Sequence, residues 1–244
     1  MSPLRKLKIY LRSTLNVLGI RKAPSRLSQS LKVEGLTYLS HAKLIRIEEA
    51  LQSLEDKKLE GGIAEFGVAL GGSAVLLART AKAQGRVFHG FDVFTTIPEP
   101  TSDKDDAASK ERYKVIVSGQ SKGINEETYY GYLDDLYERV SATLTRYGVP
   151  PEPGKIMLHK GLFEETVPNV DLAPLAFAHI DCDWYDPVCY CLKAVDAVLV
   201  PGGMIILDDY HDYGGAKTAM DEFVSEHPEY HVIDGRNPML VKRA

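Results

Sequence analysis

Apolar residues recur along this chain in two rhythms. Short continuous runs end abruptly in an acid or a glycine, and longer stretches carry apolar residues three and four positions apart. The short runs are Ile63 to Val68, Arg86 to Phe91, Lys155 to His159, Leu175 to Ile180 and Met204 to Leu207. Runs of this length, bounded by turn residues, predict strands buried on both faces. The longer stretches predict helices over residues 41–58, 74–83, 188–200 and 218–226. In the first of these, Leu44, Ile47, Leu51 and Leu54 form one stripe, the pattern of a helix laid on a core. Pro201-Gly202-Gly203 reads as the stop of the helix over 188–200 and the turn into the next strand. His231 to Ile233 and Met239 to Val241 predict a closing pair of strands. Strands alternating with helices give an α/β fold, a doubly wound, mostly parallel sheet with helices on both faces.

Two segments break the alternation. Residues 95–153 hold Pro98, Pro100, the charged run Asp103 to Asp106 and a tyrosine-rich stretch, Glu126 to Arg146, with helical character. A long insertion after a strand is either a lid over a ligand or a cover for the sheet. The other segment is the N-terminus. Eight lysines and arginines precede the first acid, Glu34, and Leu4, Leu7, Leu11, Leu15 and Leu18 fall at helical spacing. A basic amphipathic helix lies on an anionic membrane, or packs on its own domain or a sister subunit. The division expected is therefore an N-terminal helical segment over 1–58, serving as lid or oligomer contact, and a ligand-binding domain over 59–244 with an insertion at about 95–153.

Composition narrows the classes. The 244 residues suffice for one large domain, and a net charge of −5 argues against nucleic acid as the main partner. No apolar run approaches the ~20 residues of a transmembrane helix, and no apolar core of a signal peptide is present. Cys182, Cys189 and Cys191 match no metal-binding spacing, which fits free thiols in a reducing cytoplasm.

The candidate chemistry sits at the ends of the predicted strands. Ile63-Ala64-Glu65-Phe66-Gly67 leads into Gly71-Gly72-Ser73 and a helix, the strand, turn and helix start at which an open α/β sheet binds a nucleotide-like ligand. The spacing is not G-x-G-x-x-G. An acid in the turn suits a cationic, hydroxyl-bearing ligand better than a pyrophosphate, and S-adenosylmethionine has both features. Asp92 ends the second strand beside this turn, where an acid accepts hydrogen bonds from a ribose diol. Two later strands run into Asp181-Cys182-Asp183 and Asp208-Asp209-Tyr210-His211. Neighbouring parallel strands deliver these ends to one crevice, so Asp181, Asp208 and Asp209 are expected to meet. Packed carboxylates call for a cation, Mg²⁺ first, then Mn²⁺ or Ca²⁺. Beside a sulfonium cofactor such an ion has a use, because an alcohol acceptor must be oriented and deprotonated before it can take the methyl group. Asp181 is a candidate for both ligand and base, and His211 is the alternative base. His179, inside an apolar strand, reads as structural.

Five segments in this order resemble one family: GGIAEFGVALGGSA (61–74), FHGFDVF (88–94), KGLFEETVP (160–168), HIDCDWYDP (179–187) and PGGMIILDDYHDYGGAKTAMDEF (201–223). The chain resembles the macrocin O-methyltransferases, Mg²⁺- and S-adenosylmethionine-dependent enzymes with a Rossmann-like class I methyltransferase fold that methylate sugar hydroxyls. The resemblance implies that Glu65, Phe66, Gly67, Gly71 and Ser73 line the methionine end of the cofactor. It places Asp92 on the ribose, and Gly161, Leu162 and Phe163 at the adenine. Asp181, Asp208 and Asp209 would hold the metal, with Asp181 as base. Two departures, Val93 to Pro98 after the ribose acid and Cys182 where the family has glycine, fall near the acceptor. The acceptor implied is thus a sugar of a natural-product glycoside, a nucleotide-linked sugar or a surface polysaccharide, and a homo-oligomer is expected. Two alternatives are a nucleotide-sugar- or NAD-binding enzyme on a related sheet, and a non-catalytic module that binds the same cofactor.

Overall fold

The computed structural model describes residues 23–243, so the N-terminal leucine stripe from Leu4 to Leu18 lies outside the described residues. A seven-stranded sheet forms the centre, in the order β3-β2-β1-β4-β5-β7-β6. The strands are β1 (Gly62–Phe66), β2 (Phe88–Asp92), β3 (Ile156–Lys160), β4 (Leu175–Ile180), β5 (Leu199–Leu207), β6 (Tyr230–Ile233) and β7 (Met239–Lys242). The first five run parallel, and β7 pairs antiparallel with both β5 and β6. The order of connection reverses between β1 and β4, which opens a crevice beyond their C-terminal ends.

Eight helices of at least one α-turn flank this sheet among the described residues: α1 (Arg26–Val33), α2 (His41–Lys57), α3 (Gly72–Gln84), α4 (Ala107–Val117), α5 (Leu136–Arg146), α6 (Phe163–Thr166), α7 (Tyr185–Asp196) and α8 (Gly214–Glu226). They bury the two faces of the sheet in two cores. One joins Leu31 of α1 and Leu44, Ile47, Leu51 and Leu54 of α2 to Val75 and Leu77 of α3 and Val140 and Leu144 of α5. The other joins Val188, Leu192 and Val195 of α7 to Ala219, Met220 and Phe223 of α8. The predicted stripe of α2 is therefore core, and the described part of the N-terminal segment packs into the same core as the sheet. No helix among the described residues is long and apolar enough to cross a membrane.

Several element boundaries differ from the sequence expectation. The helix expected over 188–200 spans Tyr185–Asp196, and Leu199 already pairs with Leu175. Pro201-Gly202-Gly203 thus lies within β5, where the register shifts, and Gly202 has φ +81°. An unbroken apolar run from a helix end into a buried strand carries no periodicity that separates the two. In the insertion, only Leu136–Arg146 of the tyrosine-rich stretch is helical, while Ile124–Glu126 and Tyr130–Tyr132 are single 3₁₀ turns. The unanticipated helix α4 starts at Ala107, just after Asp106, whose carboxylate accepts from the Ser109 amide at 2.7 Å and caps it.

The insertion is both a cover and a wall. Its first part is fastened to the ends of α7 and α8. Asp105 accepts from the Tyr185 amide (2.9 Å), Asp106 from the Gly214 amide (3.0 Å), and Lys104 bridges Tyr185 and Glu222. Its second part carries Tyr129 and Tyr130 to the crevice.

Candidate active site

Two adjoining cavities fill the crevice. One, of about 300 Å³, is lined by Leu36 to Leu39, Lys43, Arg112, Tyr129, Tyr213 and the acids Asp208, Asp209 and Asp212. The other, of about 450 Å³, is lined by Val93, Pro98, Glu99, Leu162, Phe163 and Trp184. Gly67, Asp92, Ile97, Tyr130, Asp181 and Asp183 border both.

The floor is the turn after β1. Gly67 has φ +93°, and a Cβ there would stand 1.9 Å from the Asp181 carbonyl oxygen, so no other residue fits. This turn ends β1 at Phe66 rather than at Val68. Asp92 shapes the turn directly. Its carboxylate accepts from the amides of Val68 and Ala69, each at 2.8 Å, and of Phe94 at 2.6 Å. The wall from the N-terminal side is held by the Gly72 amide, which donates to the Leu36 carbonyl at 2.9 Å.

Of the residues singled out in the sequence, Gly67, Ser73, Asp92, Leu162, Phe163, Asp181, Asp208 and Asp209 line one or both cavities. Five do not. Glu65 is fully buried beneath the floor, because its register partner on β4 is His179, whose Nδ1 lies 2.9 Å from Glu65 Oε1. Phe66 is also fully buried, stacked on Phe91 at 5.0 Å. Gly71 caps α3 and faces Val140, and Gly161 donates its amide to the Asp92 carbonyl. His211 is half exposed and turned outward, with Nε2 3.0 Å from the Gly235 carbonyl oxygen.

The acids meet as expected. Asp181, Asp208 and Asp209 each offer an oxygen within 4.8 Å of the others. Asp208 is compensated by protein donors: Lys43 Nζ lies 2.6 Å from Oδ2, Asn237 Nδ2 lies 3.2 Å from Oδ1, and His179 Nε2 is 3.8 Å away. Burial disfavours its charge, but His179 and Lys43 outweigh burial and hold its carboxyl below the usual range. His179 in turn is pushed up to about 10, because Asp208 and Glu65 overcome the burial that would strip its second proton. The other acids lack such donors. Burial and then the charge of Asp208 push Asp181 up to about 8, and burial followed by Asp183 and Asp181 pushes Asp209 well above the usual range. Asp209 Oδ2 is buried with no hydrogen-bond partner. Carboxylates arranged this way fit a hard divalent ion, which supplies the positive charge they lack.

Asp183, between the two cavities, is the residue the sequence reading passed over. Burial pushes its carboxyl up to about 6, restrained by a hydrogen bond with Asp209. Its only sequence signal is its place two positions after Asp181, at the end of β4.

Residues 28–234 match the Macrocin-O-methyltransferase (TylF) family profile. The chain belongs to that family. A relative in Streptomyces olivaceus, the 8-demethyl-8-(2,3-dimethoxy-alpha-L-rhamnosyl)-tetracenomycin-C 4'-O-methyltransferase, is 26% identical over 192 residues, 73% of this chain and 67% of the relative. Among solved structures, the O-methyltransferase NovP matches with a TM-score of 0.70 at 21% identity, over 86% of this chain and 82% of its own. The S-adenosylhomocysteine-bound methyltransferase PaMTH1 of Podospora anserina matches with a TM-score of 0.59 at 12% identity, over 97% of this chain and 96% of its own. This macrocin-O-methyltransferase family member is thus a methyltransferase that uses S-adenosylmethionine, on the class I methyltransferase fold.

Proposed function

We propose that the chain is a divalent-metal-dependent sugar O-methyltransferase, with Asp183 as the base. The observation that carries this reading is the buried acid cluster with its unpartnered Asp209 oxygen at the junction of the two cavities. The larger cavity, with Leu162 and Phe163 on one side and Asp92 on the other, suits the adenosine part of the cofactor. The smaller one suits the acceptor. Its walls of Tyr38, Tyr129, Tyr130 and Tyr213 offer ring faces to a sugar and hydroxyls to its oxygens. That the Streptomyces relative's name places it on a rhamnosyl group supports a sugar acceptor here.

Bound S-adenosylmethionine supplies an activated methyl group, and a bound Mg²⁺ or Mn²⁺ supplies the charge that lowers the acceptor hydroxyl's pKa. Asp181, Asp208 and Asp209 would hold that ion. Asp183 would take the hydroxyl proton on its carboxylate, leaving the acceptor oxygen to receive the methyl group as the carbon–sulfur bond breaks and S-adenosylhomocysteine departs; burial pushes its carboxyl up to about 6, within the range of such a base. In this reading Asp181, expected from the sequence to be both ligand and base, serves the ion alone, and His211, the other candidate, lines neither cavity and turns to the Gly235 carbonyl. Gly67 leaves the floor open to the methionine portion, and Trp184 and Tyr130 keep water from the reacting atoms.

The test is calorimetric titration with S-adenosylmethionine, followed by turnover on glycoside and nucleotide-sugar acceptors before and after EDTA. Cofactor binding that survives EDTA, with turnover lost and then restored by Mg²⁺, is the expected result. Turnover indifferent to EDTA would reassign the acids to direct acceptor binding. Binding of NAD in place of S-adenosylmethionine would overturn the methyltransferase reading.

A further inference from the structure

Lys43 is an odd residue for its position. It stands in the first turn of α2, three residues after the cap Ser40, where the helix dipole disfavours a cation and an acid is the usual choice. Its side chain does not serve the helix. It crosses the crevice, 14% exposed, and places its ammonium 2.6 Å from Asp208 Oδ2 and 2.8 Å from Asp212 Oδ2. The two partners differ in kind. Asp208 is buried among the other acids, whereas Asp212 is 55% exposed at the cavity edge.

A divalent ion bonded to Asp208 stands about 2.1 Å from its ligand oxygen. The ammonium on the same carboxylate would then lie within about 5 Å of a double positive charge, in surroundings that screen little. Asp181 and Asp209 hold no such ammonium, and the other cation at Asp208, His179, is fully buried and held by Glu65 at 2.9 Å, so Lys43 is the cation at Asp208 with somewhere to go. The ammonium also has a second acceptor already in reach, on the solvent side.

We propose that Lys43 is a placeholder for the divalent ion. It neutralises Asp208 until the ion arrives, and the ion then drives it off Asp208 onto Asp212. Lys43 is a positioning residue that acts through Asp208. Because it follows directly on the Leu36 to Leu39 wall, its displacement ties metal loading to the acceptor side of the crevice. The inference rests on the metal reading above.

The test needs no turnover. The full chain is labelled with an amine-acylating reagent across a Mg²⁺ titration, Lys43 modification is read by mass spectrometry, and Mg²⁺ binding is followed by calorimetry on the same sample. Lys43 labelling is expected to rise at least about fivefold at saturation as the buried ion pair opens, with the exposed Lys217 unchanged. Binding of Mg²⁺ without a change at Lys43 overturns the placeholder and leaves the metal site standing. No binding of Mg²⁺ or Mn²⁺ removes the metal reading and the placeholder together. In a second measurement, Lys43→Met should bind Mn²⁺ at least about tenfold tighter than the parent, and Lys43→Arg within about threefold of it. Equal or weaker binding by Lys43→Met overturns the proposal. If that variant does not fold, the labelling of the unaltered protein decides.

Discussion

Asp183 and His211 show how little a residue's type says about its use. Both follow a strand end, and both belong to residue types that serve as bases. Only Asp183 lines both cavities, while His211 donates outward to the Gly235 carbonyl. The pair gives a contrasted prediction. A carboxylate base works only when ionised, so kcat/KM should rise with pH through a limb at about 6 or below and stay level above it. Asp183→Asn should lower kcat by about 10²–10⁴-fold and abolish that limb. His211→Ala should keep kcat within about twofold and leave the pH profile in place. A His211→Ala loss as large as that of Asp183→Asn would reverse the assignment. The acids at positions 181, 208 and 209 were legible because each ends a strand. Glu65 was legible as an acid but not as a buried one. Its environment depends on pairing with His179 across β1 and β4, and register is not written in either strand alone.

At the scale of elements, the acceptor wall depends on one close approach. A Cβ on Gly72 would meet the Leu36 carbonyl oxygen at 2.3 Å and Thr37 Cβ at 2.7 Å. Gly72→Ala should therefore push the Leu36 to Leu39 wall outward and raise the acceptor KM about tenfold or more, with a smaller change in cofactor affinity. Steady-state kinetics against calorimetric cofactor binding separates the two. A second consequence concerns β2 and β3. His89 and His159 pack ring on ring, 3.1 Å apart at their nearest nitrogens, and His159 stacks on Phe91 at 4.5 Å. Burial, then the charge of His159, pushes His89 down to about 4. Between that value and the unfolded value of about 6.5, the unfolded chain holds the proton and the folded chain does not, so stability falls as pH falls through this window. The full effect is about 3 kcal/mol. His89→Phe should flatten the decline of the urea midpoint between pH 7 and 4.5, and an unchanged decline would place the dependence elsewhere. The limits of β4 and the places of β1 and β2 were legible because their runs are mostly apolar, although β1 stops at Phe66 and β2 runs from Phe88 to Asp92. The insertion was not, since α4 is set by the Asp106 cap and by carboxylates that reach the ends of α7 and α8 from far away in sequence.

At the scale of the whole molecule, the order of strands explains why dispersed residues form one site. β1 and β4 lie side by side although more than a hundred positions separate them, and their C-terminal ends face the same crevice as those of β2 and β5. Alternation alone announced a parallel sheet, and it also announced that strand-end acids would gather. It did not announce that residues 36–43 complete the crevice from the N-terminal side, because a helix stripe tells what is buried and not which loop faces a cavity. The two cavities meet at a shared floor, yet each has its own exposed rim: Tyr38 on one side and Leu162 on the other, 48% and 41% exposed. A ligand in either can therefore depart while its neighbour stays. The kinetic order should be random, and added S-adenosylhomocysteine should compete with S-adenosylmethionine while inhibiting non-competitively against the acceptor. A pattern competitive against both would mean that the rims open and close as one gate.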